Sequence, residues 1–249
     1  MTPSAPRTNK SRLTSASTGV KRTPSKLVPL HENHRVRVGR EKRERMRAHL
    51  LQAVLNACSH DNREPAVIDD VILVAKVSRG TFYQYFDSLD QAVSELGLQL
   101  ALEMTSGILS VYDVLEDPVL RTATAFQMFL LRSVVQPHWG GFIAHIGLLR
   151  GDNLLVNKIK SDISMGVSTG DYSVASVDVA ADVLMGAKIE AIRRIVSGEH
   201  DLAYIHSVAG MVLRALGVSG SKADKSILRA YERLEKVAPK TISWWRPVE

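Results

Sequence analysis

At 249 residues with 45% apolar side chains and a net charge of +6, the chain is long enough for a small domain plus a larger one, and too apolar to be disordered throughout. Its single cysteine, Cys58, excludes an intrachain disulfide and any multi-cysteine zinc site, and no run approaches the ~20 apolar residues of a membrane helix. Within residues 1–47, thirteen Lys and Arg face three Glu, a balance of +10 that leaves −4 for the remainder. A basic end joined to a mildly acidic body fits a protein that meets phosphate with one end only.

Residues 1 to about 38 are rich in Ser, Thr, Pro, Lys and Arg without helical or strand period, and are expected to form a disordered basic arm. Such an arm either tracks phosphates or merely solubilises the chain. It lacks the apolar stretch of a secretory signal. From Arg40 to Cys58, the apolar Met46, Leu50, Leu51, Val54, Leu55 and Cys58 recur at spacings of three and four, behind a basic first turn running to Arg47. This predicts an amphipathic helix. His60 to Pro65 reads as a polar loop.

Val67 to Phe86 reads as two short helices meeting at a turn. Val67, Val71, Val74 and Ala75 make one apolar face, and the run breaks at Lys76-Val77-Ser78. Ser78 suits an N-cap, since its hydroxyl can accept a free backbone N–H of the next helix. In that helix, Arg79 to Phe86, Phe82 and Phe86 belong to the core. Ser78, Arg79, Gly80, Thr81, Tyr83, Gln84 and Tyr85 are the candidate DNA contacts. Arg79 suits guanine or phosphate, Gly80 admits close backbone approach, and Thr81 offers a hydroxyl and a methyl. The phenols of Tyr83 and Tyr85 suit phosphate oxygens. A short polar helix held across a preceding one is the DNA-reading helix-turn-helix arrangement.

These residues also carry a family resemblance. V-S-R-G-T-F-Y-Q-Y-F followed by D-S-L-D-Q-A-V resembles the recognition and fourth helices of the tetracycline-repressor (TetR) family, over about Arg40 to Leu100. Three positions depart from its pattern. Lys76 stands at the usual turn glycine, Leu73 at a usually polar position, and Leu89 at a lysine that commonly holds a phosphate. The resemblance implies a fourth helix, with Leu89, Ala92, Val93, Leu96 and Leu100 on its apolar face, linking the reading head to the body.

Beyond Leu100 the expected elements are helices at 101–115, 118–135, 139–149, 153–165, 173–196, 202–216 and 223–237, with Pro137, Gly140-Gly141, Gly151 and Gly198 as breaks. The stripe of small residues on 173–196, from Ala180 and Ala181 to Ala191, suits either a dimer interface or the chain's own core. No phosphate-cradling loop, metalloprotease motif or nucleophile elbow is present. His138, Trp139, Phe142 and His145 form the most pocket-like segment of the body.

The expected fold is therefore all-α: arm 1–38, helix-turn-helix domain 39–100 with its motif at 67–86, helical regulatory and dimerisation domain 101–238, and tail 239–249. The resemblance implies a cytoplasmic, nucleoid-associated bacterial regulator, a homodimer released from a palindromic double-stranded DNA operator by a small-molecule effector. It implies no cofactor, metal, membrane or catalytic role. Two other readings stay open, an effector-independent architectural DNA binder and a helical enzyme or carrier using the body pocket.

Overall fold

A computed structural model of the chain describes residues 34–59, 66–112, 116–146, 154–198 and 201–248. Within these residues there are ten helices and no strand. Most of the predicted arm, the 60–65 loop and Gly151 lie outside the described residues. The chain divides after Arg40 into two units. In the first, residues from His34 onward are exposed and helical, so regular structure begins before the expected end of the arm at 38.

The second unit, from Glu41, holds everything that follows. Helix α1 (His34–Ala57) buries Leu50, Leu51, Ala53 and Val54. Helices α2 (Ile68–Ala75) and α3 (Arg79–Tyr83) form the pair read in the sequence, although α3 ends at Tyr83 and not at the expected Phe86, the chain turning at Gln84 and Tyr85. The Asp70 carboxylate accepts the Val67 N–H at 2.9 Å, which satisfies one free donor at the start of α2. The other end closes in a left-handed turn at Lys76 (φ 55°), where the Lys76 and Val77 amides return to the Leu73 and Ile72 carbonyls. Ser78 then caps α3, its Oγ accepting the Thr81 N–H at 3.1 Å.

Helix α4 (Leu89–Tyr112) is a single element where the sequence suggested a join near residue 100. Its apolar stripe of Ala92, Leu96, Leu100, Met104, Ile108 and Val111 runs on without a breaker, so nothing stops the helix there. Helix α5 (Pro118–Val135) starts at Pro118, with the Asp117 carboxylate accepting the Val119 amide at 2.8 Å. Thirteen of its eighteen residues are buried, which makes it the central rod. Around it pack α6 (Pro137–Ile146), α7 (Leu154–Ser168), α8 (Val177–Val196), α9 (Leu202–Ala215) and α10 (Gly220–Thr241).

Gly140-Gly141, expected as a break, lies inside α6. The glycines serve proximity instead: a Cβ on Gly141 would collide with the Ser59 carbonyl beyond the end of α1. Helix α10 carries Pro239 in its last turn and runs to Thr241. The tail after it folds back, with Trp244 and Trp245 both buried. Arg132 is held there, its guanidinium 4.6 Å from the ring centre of Trp139 and 5.5 Å from that of Trp244. Its Nη2 donates to both carboxylate oxygens of Glu103 at 3.0 Å. Burial pushes the Arg132 pKa down, and Glu103 opposes that shift.

Candidate nucleic-acid interface and body cavity

Phe82 and Phe86 anchor α3 from below, fully buried with ring centres 5.5 Å apart. Because i and i+4 share a face, the residues between them turn outward. Ser78, Arg79, Gly80, Tyr83 and Gln84 are exposed, while Thr81 and Tyr85 are half-buried. Five of the seven expected contacts therefore share one solvent face. Tyr83 is 47% exposed and sets its ring edge-on to Phe82, so its position is fixed although its phenol is free to solvent. Tyr85 lies in the turn after α3, with the Arg43 guanidinium 5.8 Å from its ring centre. A Cβ on Gly80 would meet nothing nearer than Ser78 Oγ at 3.8 Å. The fold thus has no need of glycine there.

Arg79 donates to the Asp69 carboxylate of α2 at 2.6 Å, and that hydrogen bond raises its pKa. Both side chains are exposed, so the pair orients the guanidinium and adds little stability. Arg47, read in the sequence as part of the basic first turn, is used internally. Its Nε donates to Glu95 Oε1 at 2.7 Å, its Nη2 reaches Glu95 Oε2, and its Nη1 donates to the Tyr85 carbonyl at 2.8 Å. The same guanidinium lies 4.4 Å from the ring centre of Phe86. One side chain of α1 thereby ties the end of the reading element to α4. The sequence hid this role, since an arginine in a basic run looks the same whether it meets solvent, phosphate or a glutamate.

In the body, the His138–His145 segment does not converge on a cavity. Trp139 and Phe142 are buried in packing, while His138 and His145 are exposed, His138 Nδ1 lying 2.8 Å from Ser59 Oγ. A narrow cavity of about 30 Å³ opens elsewhere, among Ile108, Phe126, Phe129, Ile159, Leu184 and Lys188. Lys158 and Asp162 also border it, with Asp162 accepting from Lys158 at 2.8 Å and from Arg121 at 3.2 Å. Lys188 is 2% exposed, and burial pushes its pKa down to about 7. Reading α8 for its period could have found it, because position 188 falls where the stripe of Ala181, Leu184, Ala191 and Ile195 calls for an apolar residue. Among the described residues no group of three or more His, Cys, Asp or Glu could hold a metal, and no helix is long and apolar enough to cross a membrane.

Ala180, Ala181, Leu184, Ala191 and Ile195 of the small-residue stripe are buried in the chain's own core. The outward face of α8 and α9 shows Val179, Val183 and Met211, which are 61%, 52% and 66% exposed. A groove of about 330 Å³ runs beside Val179, Val183 and Ala215.

Residues 117–229 match the family model described as the tetracyclin repressor-like C-terminal domain. That match covers the body, and the helix-turn-helix with its sequence motif precedes it. Over these residues the chain carries a tetracyclin repressor-like C-terminal domain.

Solved structures agree on the fold. Resorcinol-bound RolR superposes with a TM-score of 0.57 at 24% identity, over 76% of this chain and 96% of that one. A gamma-butyrolactone receptor gives 0.56 at 13%, over 79% and 99%. A TetR-family regulator from Agrobacterium tumefaciens gives 0.55 at 13%, over 70% and 98%. At these identities the likeness is one of fold. No curated protein matches the chain. Within the family pattern, Lys76 takes the left-handed turn that the usual glycine would adopt without cost, and Leu73 points to solvent. Leu89 packs against the core at the start of α4.

Proposed function

We propose that this TetR-family regulator is a homodimeric repressor that binds a palindromic operator through α3 and leaves it when a small molecule enters the body. The observation that carries the reading is the outward face of α3. Arg79, Gly80 and Tyr83 of α3 and Gln84 at its C-cap stand clear of the core, while Phe82 of the helix and Phe86 just beyond it are fully buried. A helix this short contacts few bases, so two copies related by a twofold axis in successive major grooves supply the selectivity. The exposed valines of α8 and Met211 of α9 supply an apolar face for pairing those copies. Effector control is supported by relatives of the same fold, among them a RolR structure holding resorcinol and structures of gamma-butyrolactone receptors. Effector binding shifts the population between two separations of the reading heads, with α4 as the connecting element. The protein works in the cytoplasm on the nucleoid and performs no catalysis.

Genome-wide immunoprecipitation of the protein, repeated with Tyr83→Ala and Gly80→Ala, tests this reading. Sharp peaks sharing an inverted repeat are expected, weakened about tenfold or more in each variant by loss of roughly 1–3 kcal/mol of contact. Alanine at Gly80 meets no steric conflict, so its failure to bind reports the DNA surface and not the fold. Broad signal without a motif, steeply dependent on salt, would replace the repressor by an architectural binder. No enrichment at all would return attention to an enzyme or carrier role.

A further inference from the structure

Three charged side chains are buried among the described residues: Arg132, Asp162 and Lys188. Two have counter-charges, Arg132 in Glu103 and Asp162 in Lys158 and Arg121. Lys188 differs. Its Nζ lies 4.1 Å from the centre of the Phe129 ring, burial lowers its basicity, and among the described residues no carboxylate or hydrogen bond opposes that. A buried ammonium without a counter-ion is expensive, and here it stands on the wall of a cavity.

The remaining wall describes what completes the site. Phe126 and Phe129 offer aromatic surface, and Ile108, Ile159 and Leu184 offer aliphatic surface. Of the ionisable groups on the wall, Asp162 is already answered by Lys158 and by Arg121 behind it. Protonated Lys188 is the charge on this wall that no carboxylate among the described residues meets. A neutral or cationic guest leaves that charge unmet, whereas an anion meets it in a water-poor setting where a charge-assisted bond is strong.

We propose that the effector is a small aromatic acid, one ring lying against Phe126 and Phe129 with its carboxylate or comparably acidic oxygen paired to Lys188 Nζ. The assignment rests on the reading of the chain as an effector-released regulator. It also supplies a route for the response. A cavity of about 30 Å³ holds roughly one water, while a benzene-sized guest needs about 150 Å³, so the ring enters only by moving the walls apart. Ile108, one of those walls, belongs to α4.

The test uses the full-length protein with benzoate, salicylate and phenylacetate, each against its amide (benzamide, salicylamide, phenylacetamide). Binding is read by calorimetry and thermal unfolding for wild type and Lys188→Met. At least one acid should bind ten times more tightly than its amide. Lys188→Met should weaken that acid tenfold or more and leave the amide within twofold. Calorimetry at slightly alkaline pH in buffers of differing ionisation enthalpy should reveal proton uptake with the acid in wild type alone. Equal affinity of acids and amides, no binding by any acid, or an unchanged acid affinity in Lys188→Met would each overturn the assignment. Should Lys188→Met not fold, Lys188→Gln carries the same comparison. Selection of binding sites from random DNA, run without any probe, separates the two levels. Acid binding through Lys188 in a protein that selects no DNA sequence would sink the regulator reading and keep the ligand assignment.

Discussion

Replacing Lys188 by methionine should stabilise the ligand-free protein, and the gain should shrink as pH rises. The side chain is fully buried and its pKa is brought from 10.5 to about 7 by burial alone. Between these values the unfolded chain holds a proton on Lys188 that the folded chain has lost, so stability rises with pH across that window. At pH 6, where both states are protonated, the ammonium costs folding on the order of 5 kcal/mol relative to a neutral group, at about 1.4 kcal/mol per pKa unit. By pH 9 most of the folded population is neutral and the cost is about 2 kcal/mol. Methionine has similar length and no charge to desolvate, so it removes the pH-dependent part and keeps the packing against Phe129. Urea unfolding of both proteins at pH 6 and pH 9, at one protein concentration, reads the difference. The variant should be more stable at both, with the gap narrowing by about 3 kcal/mol. A gap independent of pH, or a less stable variant at pH 6, would refute the claim that Lys188 lies buried and unanswered.

Other positions give independent checks. Lys76→Gly relieves the left-handed turn at φ 55° and should raise the unfolding free energy by about 1 kcal/mol, measured by thermal or urea denaturation. Trp244→Ala opens a buried site beside Arg132 and should cost about 3–5 kcal/mol in the same assay, showing that Trp244 belongs to the body's core. Burial pushes the Cys58 thiol up to about 11 from 9.0. Its reaction with a maleimide at pH 7.5 should therefore run about a hundredfold slower in the folded protein than after denaturation.

The order of helices and the reading pair were legible because local signals agree there. Ser78 caps α3 and Pro118 opens α5, and Phe82 with Phe86 fixes which side of α3 points inward, whereas the Ser176 cap, passed over in the sequence, starts α8 at Val177 and not at 173. Element ends were less legible. Val36 and Val38 stand exposed on α1 and give no periodic signal, while the unbroken stripe of α4 conceals any domain boundary. Gly140 and Gly141 look like breakers in one dimension, and become contact points only when Ser59 and Val196 arrive from distant parts of the chain and Ser133 from the neighbouring α5. The cavity was out of reach for the same reason, since its wall is drawn from α4, α5, α7 and α8. What sequence does offer is Lys188 itself, a charge in a stripe that asks for none.

Two glutamates of α4 are each claimed by a different arginine: Glu95 by Arg47 beside the reading element, and Glu103 by Arg132 inside the body. They stand eight residues apart, about 12 Å along the axis. Between them the helix runs unbroken through Gly97, with no proline and no left-handed residue. The two grips are therefore geared to a common shaft. At about 1.5 Å per residue that shaft is some 36 Å long, so a rotation of only about 5° near Tyr112 sweeps Leu89 through about 3 Å. A displacement of that size is comparable to the rise of one base pair, about 3.4 Å. On the proposed function, such gearing would release DNA without refolding: a small swing at one end is magnified to a step of sequence at the other.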